Sequence, residues 1–311
     1  MYIYIQISAF MIAAVIDLGT NTFHLIIAEL SDEDPRIVFK TNLPVKLGEG
    51  KINENIIIPA AFERGISALK GFKEEIDKHR VNVVKAIATS AIRSAENGQD
   101  FVIAAKEEAG IEITVIEGDQ EAEYIYQGVN ATGLINVSSL IIDIGGGSTE
   151  FIICNPNGIL WKKSYNIGAA RLQQAYFKSD PISTADQQAI HGRLQTELED
   201  LKAACELFKP MQLIGSAGAF ESFVTMINTD QDIKKLNSTS IDLAGYLELS
   251  RKLITSTHAE REKFEGLITL RVDMIVIAAL ITNYILEMIQ PEKLSVSTYD
   301  LKMGVLSTLK P

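Results

Sequence analysis

Ile141-Ile-Asp-Ile-Gly-Gly-Gly-Ser-Thr-Glu150 is the stretch on which the fold turns. Three consecutive glycines after a β-branched run cost backbone entropy and offer nothing to pack, so their reason must lie in backbone geometry. A tight hairpin tip of this composition lets main-chain N–H groups converge on an anion, with the Ser148 hydroxyl as a further donor. Around the tip, LIID and EFIIC read as the two strands of the hairpin and ILWKKSY as a third. The pattern also occurs earlier: AAVI and FHLIIAEL flank Asp17-Leu-Gly-Thr-Asn-Thr22, and RIVFKTNLPVKL follows a turn over Ser31 to Pro35. One constant offset of 126 residues aligns Asp17 with Asp143, Gly19 with Gly145, Asn21 with Gly147 and Thr22 with Ser148.

After its third strand the first copy continues with a helix carrying Phe62, Ile66, Leu69 and Ile76 near helical period. VVKAIAT, DFVIAAKEEA, ITVI and QEAEYIYQGV then alternate strand and helix. The order of three strands followed by α, β, α, β, α restarts at Ser139. There, Thr184 to Phe208 and Leu270 to Ile289 read as long helices, and MQLIGSAG and KLSVST as strands with their exits. The predicted fold class is therefore α/β, with duplicated ribonuclease-H-like domains of the actin-like ATPase kind facing each other across a cleft. The first spans 1–130 and the second 131–311, with additional helices and a last helix, about 300–311, packing back on the first domain. The period is far too long for a solenoid repeat.

A chain of 311 residues exceeds what one core usually supports, and 47% hydrophobic with 22% charged residues fits a globular protein. The net charge of −11, from 29 basic against 40 acidic residues, argues against a nucleic-acid-coating surface, so any polyanionic substrate must be held locally. Cys154 and Cys205 are too few for a disulfide framework and lack zinc-site spacing, which points to a reducing, cytoplasmic setting. The opening MYIYIQISAFMIAAVI lacks a basic n-region and runs into Asp17, so it is not read as a signal peptide, and no run reaches membrane-spanning length. Met11 is an alternative start, which would make the first ten residues an extension that need not order.

Asp143 closes one strand and Glu150 opens the next. Carboxylates beside a phosphate loop repel the substrate unless a hard cation lies between, so Mg²⁺ (or Mn²⁺) is inferred, with Asp17 as the matching carboxylate of the first hairpin. Either aspartate could instead cap its own turn. Ala88-Thr-Ser-Ala-Ile-Arg93 lies where a strand passes into a helix, offering N–H groups and a guanidinium fork to an anion, or else an ordinary cap with a solvated arginine. In Gly118-Asp-Gln-Glu121-Ala-Glu-Tyr-Ile-Tyr-Gln-Gly-Val129, Ala122, Ile125 and Val129 face a core and Glu121 falls in the first turn, where a helix-dipole role is the plain alternative. Leu213-Ile-Gly-Ser-Ala-Gly218 suits close approach of a ligand. His24, His79, His191 and His258 show no metal-ligand spacing and read as surface or packed structural residues.

With these motifs in order, the chain resembles the exopolyphosphatase and guanosine pentaphosphate phosphatase family (Ppx/GppA). VIDLGTNTFHLII, IATSAIRSAEN, IEGDQEAEYIYQGV, LIIDIGGGSTEF, YNIGAARL, IGSAGAF and LRVDMIVIAA carry the resemblance, from about Ile12 to Leu306. It implies Mg²⁺-dependent hydrolysis of a terminal phosphoanhydride of polyphosphate or a guanosine polyphosphate. Glu121 is then the water activator, Asp143, Glu150 and Asp17 are the metal candidates, and Asn21, Thr22, Arg93, Gly145, Gly146, Gly147 and Ser148 face phosphate. The sequence departs from the family pattern at Gln120, where a glutamate is common, and at Ala278, where glycine is common. The extra C-terminal helical domains of longer members are absent before Pro311, which with the acidic charge favours a short-chain or nucleotide substrate. No nucleic acid or membrane partner is expected, and a homodimer is left open. Two rival readings are a sugar- or acetate-kinase-type phosphotransferase of the same fold and a non-catalytic nucleotide sensor.

Overall fold

A computed structural model describes residues 11–31, 35–216, 218–230 and 232–309. The first ten residues, and with them the choice between Met1 and Met11, lie outside this range, as do residues 32–34 of the expected turn. The first half runs β1 (Met11–Leu18), β2 (Thr22–Leu30), β3 (Arg36–Pro44), α1 (Pro59–Lys78), β4 (Val83–Ala88), α2 (Ser90–Ser94), α3 (Gly98–Ala109), β5 (Ile113–Val115) and α4 (Gly118–Asn130). Its sheet has the order β3-β2-β1-β4-β5, antiparallel through β3-β2-β1 and parallel beyond.

The second half begins with β6 (Ser139–Ile144), β7 (Thr149–Asn155) and β8 (Gly158–Tyr165), followed by α5 (Ala169–Tyr176), α6 (Thr184–Glu197) and α7 (Glu199–Phe208). It continues through β9 (Gln212–Ser216), α8 (Gly218–Ile227), β10 (Ser238–Ile241), α9 (Leu243–Thr255), α10 (His258–Arg261), α11 (Ile275–Ile289), β11 (Lys293–Ser297) and α12 (Leu301–Ser307). The sheet order β8-β7-β6-β9-β11 repeats that of the first half, with β10 added antiparallel at one edge. Two units of ribonuclease-H-like topology thus make up the actin-like ATPase fold.

The duplication holds at the level of register. Asp17 pairs with His24 across β1 and β2, and Asp143 pairs with Glu150 across β6 and β7, so the same offset superposes both members of each pair. β1 and β6 are central strands covered on both faces, which is why Ala13 to Ile16 and Leu140 to Ile142 read as continuous apolar runs and are fully buried. Each half has its own core, and a third is shared: Val15, Ile125, Val129, Ile141, Ile214, Leu301 and Val305 pack together. α12 closes that shared core by lying on α4 and β1. Their crossing needs glycine on both sides, since a Cβ on Gly304 would stand 1.8 Å from the Tyr124 carbonyl oxygen and one on Gly128 would stand 2.4 Å from that of Asp300.

Three differences from the sequence reading follow from packing. The helix expected from Thr184 to Phe208 breaks at the buried Leu198, letting α6 and α7 each turn an apolar face to the core. The helix expected from Leu270 starts at Ile275, after a short 3-10 turn at Thr269–Arg271. β10, α9 and α10 were not foreseen, lying in a stretch without clear period.

Candidate active site

The two hairpin tips meet across a cleft of about 1090 Å³ between the halves. Their contact explains the glycines: a Cβ on Gly146 would fall 2.5 Å from Asn21 Nδ2, and one on Gly147 2.5 Å from Ser90 Oγ and 2.8 Å from Thr20 Oγ1. Behind the second tip, the first turn of α5 supplies donors. Ala169 N bonds Gly145 O at 2.8 Å and Ala170 N bonds Gly146 O at 2.9 Å, while Gly168 N reaches Gly147 O at 3.4 Å. With these three carbonyls held back, peptide planarity turns the N–H groups of Gly146, Gly147 and Ser148 to the opposite side. The first tip repeats the device, with Lys46 N on Asn21 O and Gly48 N on Thr20 O. Two opposed tips with carbonyls tied away from each other form an anion cradle.

Carboxylates surround this cradle. Glu121, in the first turn of α4, is buried and accepts a hydrogen bond from Arg93 Nη1 at 2.9 Å. Burial, and then the charge of Glu150, raises the Glu121 carboxyl well above the ordinary range, while Arg93 opposes the rise. Asp143 accepts from Ser216 Oγ at 3.1 Å, and burial with Glu150 pushes it up to about 8. Glu150 accepts from Ser164 Oγ at 2.6 Å; burial raises it too, against the pull of Ser164 and Ser148. Asp17 is raised to about 6 by burial, with Lys302 opposing. Four buried carboxyls that resist ionising together mark a site short of positive charge.

All the expected residues but Arg93 line this cleft, and Arg93 and Asp17 have neighbours that the sequence did not indicate. Arg93, expected on phosphate, stands behind Glu121 outside the lining, and the nitrogen that binds Glu121 also donates to Ile116 O at 2.9 Å. Asp17 was grouped with the metal candidates, yet it faces the Lys302 ammonium 3.8 Å away. Thr22 lines the cleft at the start of β2, and Asn21 lines it while its amide contacts Met274 Sδ at 2.7 Å. Gln120 points outward toward the Tyr124 hydroxyl, so its departure from the family pattern leaves the cleft untouched, whereas Ala278 lies in the lining.

Sequence reasoning missed Lys302, Asp300 and His24 as members of the lining, and quoted the stretches holding Ser90 and Arg271 without singling out either residue. His24 had a usable signal, because the 126-residue offset puts it at the position of Glu150. Lys302 had none, being brought in by the first turn of the distant α12, whereas Arg271 lies in the quoted LRVDMIVIAA stretch and was not singled out there. The other three histidines sit outside the lining: His79 on Phe39, His191 on Tyr284 and His258 on Asp273. Cys154 and Cys205 are free buried thiols, each pushed up to about 12 by burial.

The fit of a cation rests on donor chemistry. Among the described residues no three His, Cys, Asp or Glu side chains converge on one point. Asp143 and Glu150 nonetheless offer oxygen donors from paired strand positions beside the cradle. That set suits Mg²⁺, which takes one or two carboxylates and completes its shell with phosphate oxygens and water. Among the described residues no helix is long and apolar enough to cross a membrane.

Comparison with known proteins bears on the family and the fold. Residues 26–311 match the Ppx/GppA phosphatase family. The crystal structure of an exopolyphosphatase from Cytophaga hutchinsonii is 37% identical, covers 96% of this chain and 97% of its own, and superposes with a TM-score of 0.93. The Aquifex aeolicus PPX-GPPA enzyme is 27% identical, with 97% and 100% coverage and a TM-score of 0.80. A guanosine-5'-triphosphate,3'-diphosphate pyrophosphatase from Pseudoalteromonas translucida is 28% identical over 298 residues, which is 96% of this chain but 59% of that relative.

Proposed function

The chain belongs to the Ppx/GppA phosphatase family, and on that footing we propose that it releases orthophosphate from the end of inorganic polyphosphate or of guanosine pentaphosphate, with Mg²⁺ bound at Asp143 and Glu150. The observation that carries this reading is the convergence of Glu121 from the first half with the Gly145–Ser148 cradle of the second in one cleft. A terminal phosphate seated between the tips meets the N–H groups of Gly146, Gly147 and Ser148 on one side and Asn21 and Thr22 on the other. The cation, when bound, neutralises charge on the phosphate oxygens and on the two carboxylates.

Glu121 accepts the proton of the attacking water. Its surroundings suit a general base, since burial raises its basicity while Arg93 opposes that rise and fixes its direction. Phosphoryl transfer asks a protein mainly for positioning, charge neutralisation and an oriented attacker. Arg93 serves the third of these through Glu121 rather than by touching substrate.

Phosphate release from long polyphosphate, tripolyphosphate, guanosine pentaphosphate and ATP, each with and without Mg²⁺, tests the proposal. Mg²⁺-dependent release from at least one of the first three supports it. Release from none of them, or release undiminished in excess chelator, overturns it. The cleft carries more acids than bases in its lining, so tripolyphosphate or guanosine pentaphosphate is expected to be used at least as efficiently as long chains.

A further inference from the structure

The two hairpins match in backbone but not in charge. At the second, Asp143 stands opposite a carboxylate, Glu150; at the first, Asp17 stands opposite an imidazole, His24. An imidazole, unlike the Glu150 carboxylate, brings no negative charge to its hairpin. A positive charge is present there instead. Lys302 Nζ lies 3.8 Å from Asp17 Oδ2 and donates to Asp300 Oδ2. Lys302 and Asp17 are close to sealed, with side chains 14% and 13% exposed. Burial disfavours the ammonium, but Asp300 and Asp17 more than compensate and hold it above the ordinary lysine range.

The placement is built in. Asp300 caps α12, accepting from Lys302 N at 3.0 Å, and Leu301, Val305 and Leu306 bury the helix in the core shared by the two halves. Gly304 locks its depth against the Tyr124 carbonyl. The end of the second half thus delivers a fixed cation to the carboxylate of the first.

We propose that Lys302 is the resident cation of the first hairpin, standing beside Asp17 where a divalent cation stands beside Asp143 and Glu150. The cleft then holds one divalent cation per chain, and Asp17 is not among its ligands. Lys302 is a positioning residue: it fixes the Asp17 carboxylate next to the Gly19–Thr22 tip and, through α12, ties that tip to the opposite half. The inference rests on the phosphohydrolase reading of the cleft, but its test does not require turnover.

Mn²⁺ binding to the substrate-free full-length chain, followed by electron paramagnetic resonance, counts the sites. The wild type is expected to bind one Mn²⁺, Asp143→Asn to weaken it by at least about tenfold, as loss of a ligand does, and Asp17→Asn to leave it within about threefold. Lys302→Met frees Asp17 and Asp300 and is expected to bind a second Mn²⁺, while Lys302→Arg keeps one. In the phosphatase assay Lys302→Met is expected to lose kcat and Lys302→Arg to recover most of it. Two sites in the wild type, tenfold weaker binding in Asp17→Asn, or a Lys302→Met protein with wild-type stoichiometry overturns the proposal. Should Lys302→Met fail to fold, Asp17→Asn and Lys302→Arg still decide it. A chain that binds one Mn²⁺ as described yet hydrolyses nothing refutes the phosphohydrolase reading alone.

Discussion

Arg93 Nη1 lies 2.9 Å from Glu121 Oε2 and 2.9 Å from the Ile116 carbonyl oxygen, so one guanidinium nitrogen ties the start of α4 to the exit of β4. The pair is largely removed from water, which makes each partner depend on the other. Glu121→Gln keeps size and part of the hydrogen bonding but cannot take a proton, and is expected to lose roughly 10² to 10⁴ in kcat. Its circular dichroism and thermal midpoint should stay close to wild type. A near-wild-type kcat in the folded variant would return the base role to Glu150 or to the substrate.

Arg93→Ala is expected to lower kcat with little change in KM, because the guanidinium orients the base rather than gripping ground-state phosphate. Arg93 holds the Glu121 pKa down, so without it the acid limb of the kcat/KM profile moves to higher pH. Arg93→Lys should restore part of both. A variant changed only in KM would place Arg93 on the substrate after all.

Ser90 Oγ is buried beside Gly147 and has no hydrogen-bond partner among the described residues. A hydroxyl left unsatisfied costs about 1–3 kcal/mol, so Ser90→Ala is expected to leave stability equal or higher. If the hydroxyl meets phosphate on binding, KM and the inhibition constant for orthophosphate should both rise severalfold. Unchanged values for both would remove Ser90 from the ligand shell.

Gly168→Ala would place a methyl 2.4 Å from the Gly146 carbonyl carbon and 2.5 Å from the Gly147 carbonyl carbon, against backbone that cannot yield without opening the cradle. Loss of both thermal stability and phosphate affinity is expected. Gly192 in α6 has open space around its Cβ position, and Gly192→Ala should gain about 0.5–1 kcal/mol with unaltered kinetics. Equal effects of the two substitutions in denaturant unfolding would contradict the close backbone packing behind the cradle.

Asp143, raised to about 8, binds its proton more tightly folded than unfolded. Its contribution to stability is therefore complete below the ordinary aspartate pKa and is lost as pH rises through 8, with a slope of up to about 1.4 kcal/mol per pH unit. Glu121 and Glu150 shift in the same sense. In chelator the thermal midpoint should fall between pH 6.5 and 8, and Mg²⁺ should flatten or reverse the trend by binding the ionised form. Asp143→Asn should be less pH-dependent in chelator. A midpoint rising with pH in chelator would contradict the electrostatic picture of the cleft.

The duplication and the strand order were legible because period-2 apolar runs and glycine tips are local features, and a constant offset repeats them. Asp17, Glu121, Asp143 and Glu150 were legible for a related reason: each sits at a turn, a strand end or a first helical turn that can be read from its immediate neighbours. The partners of those groups could not be read this way. Whether Arg93 faces phosphate or Glu121 depends on how the exit of β4 and the start of α4 are juxtaposed, and no local pattern encodes that distance. Lys302 reaches Asp17 because α12 crosses back onto α4 over Gly128 and Gly304, burying Leu301 and Val305 where the halves share a core. The sequence by itself determined which groups carry charge and which turns can cradle an anion, since these follow from side-chain chemistry and local backbone freedom. Tertiary packing alone decided which carboxylate is answered by a lysine, which by an arginine and which by serine hydroxyls, because pairing of buried charges depends on approach in space between residues far apart in the chain.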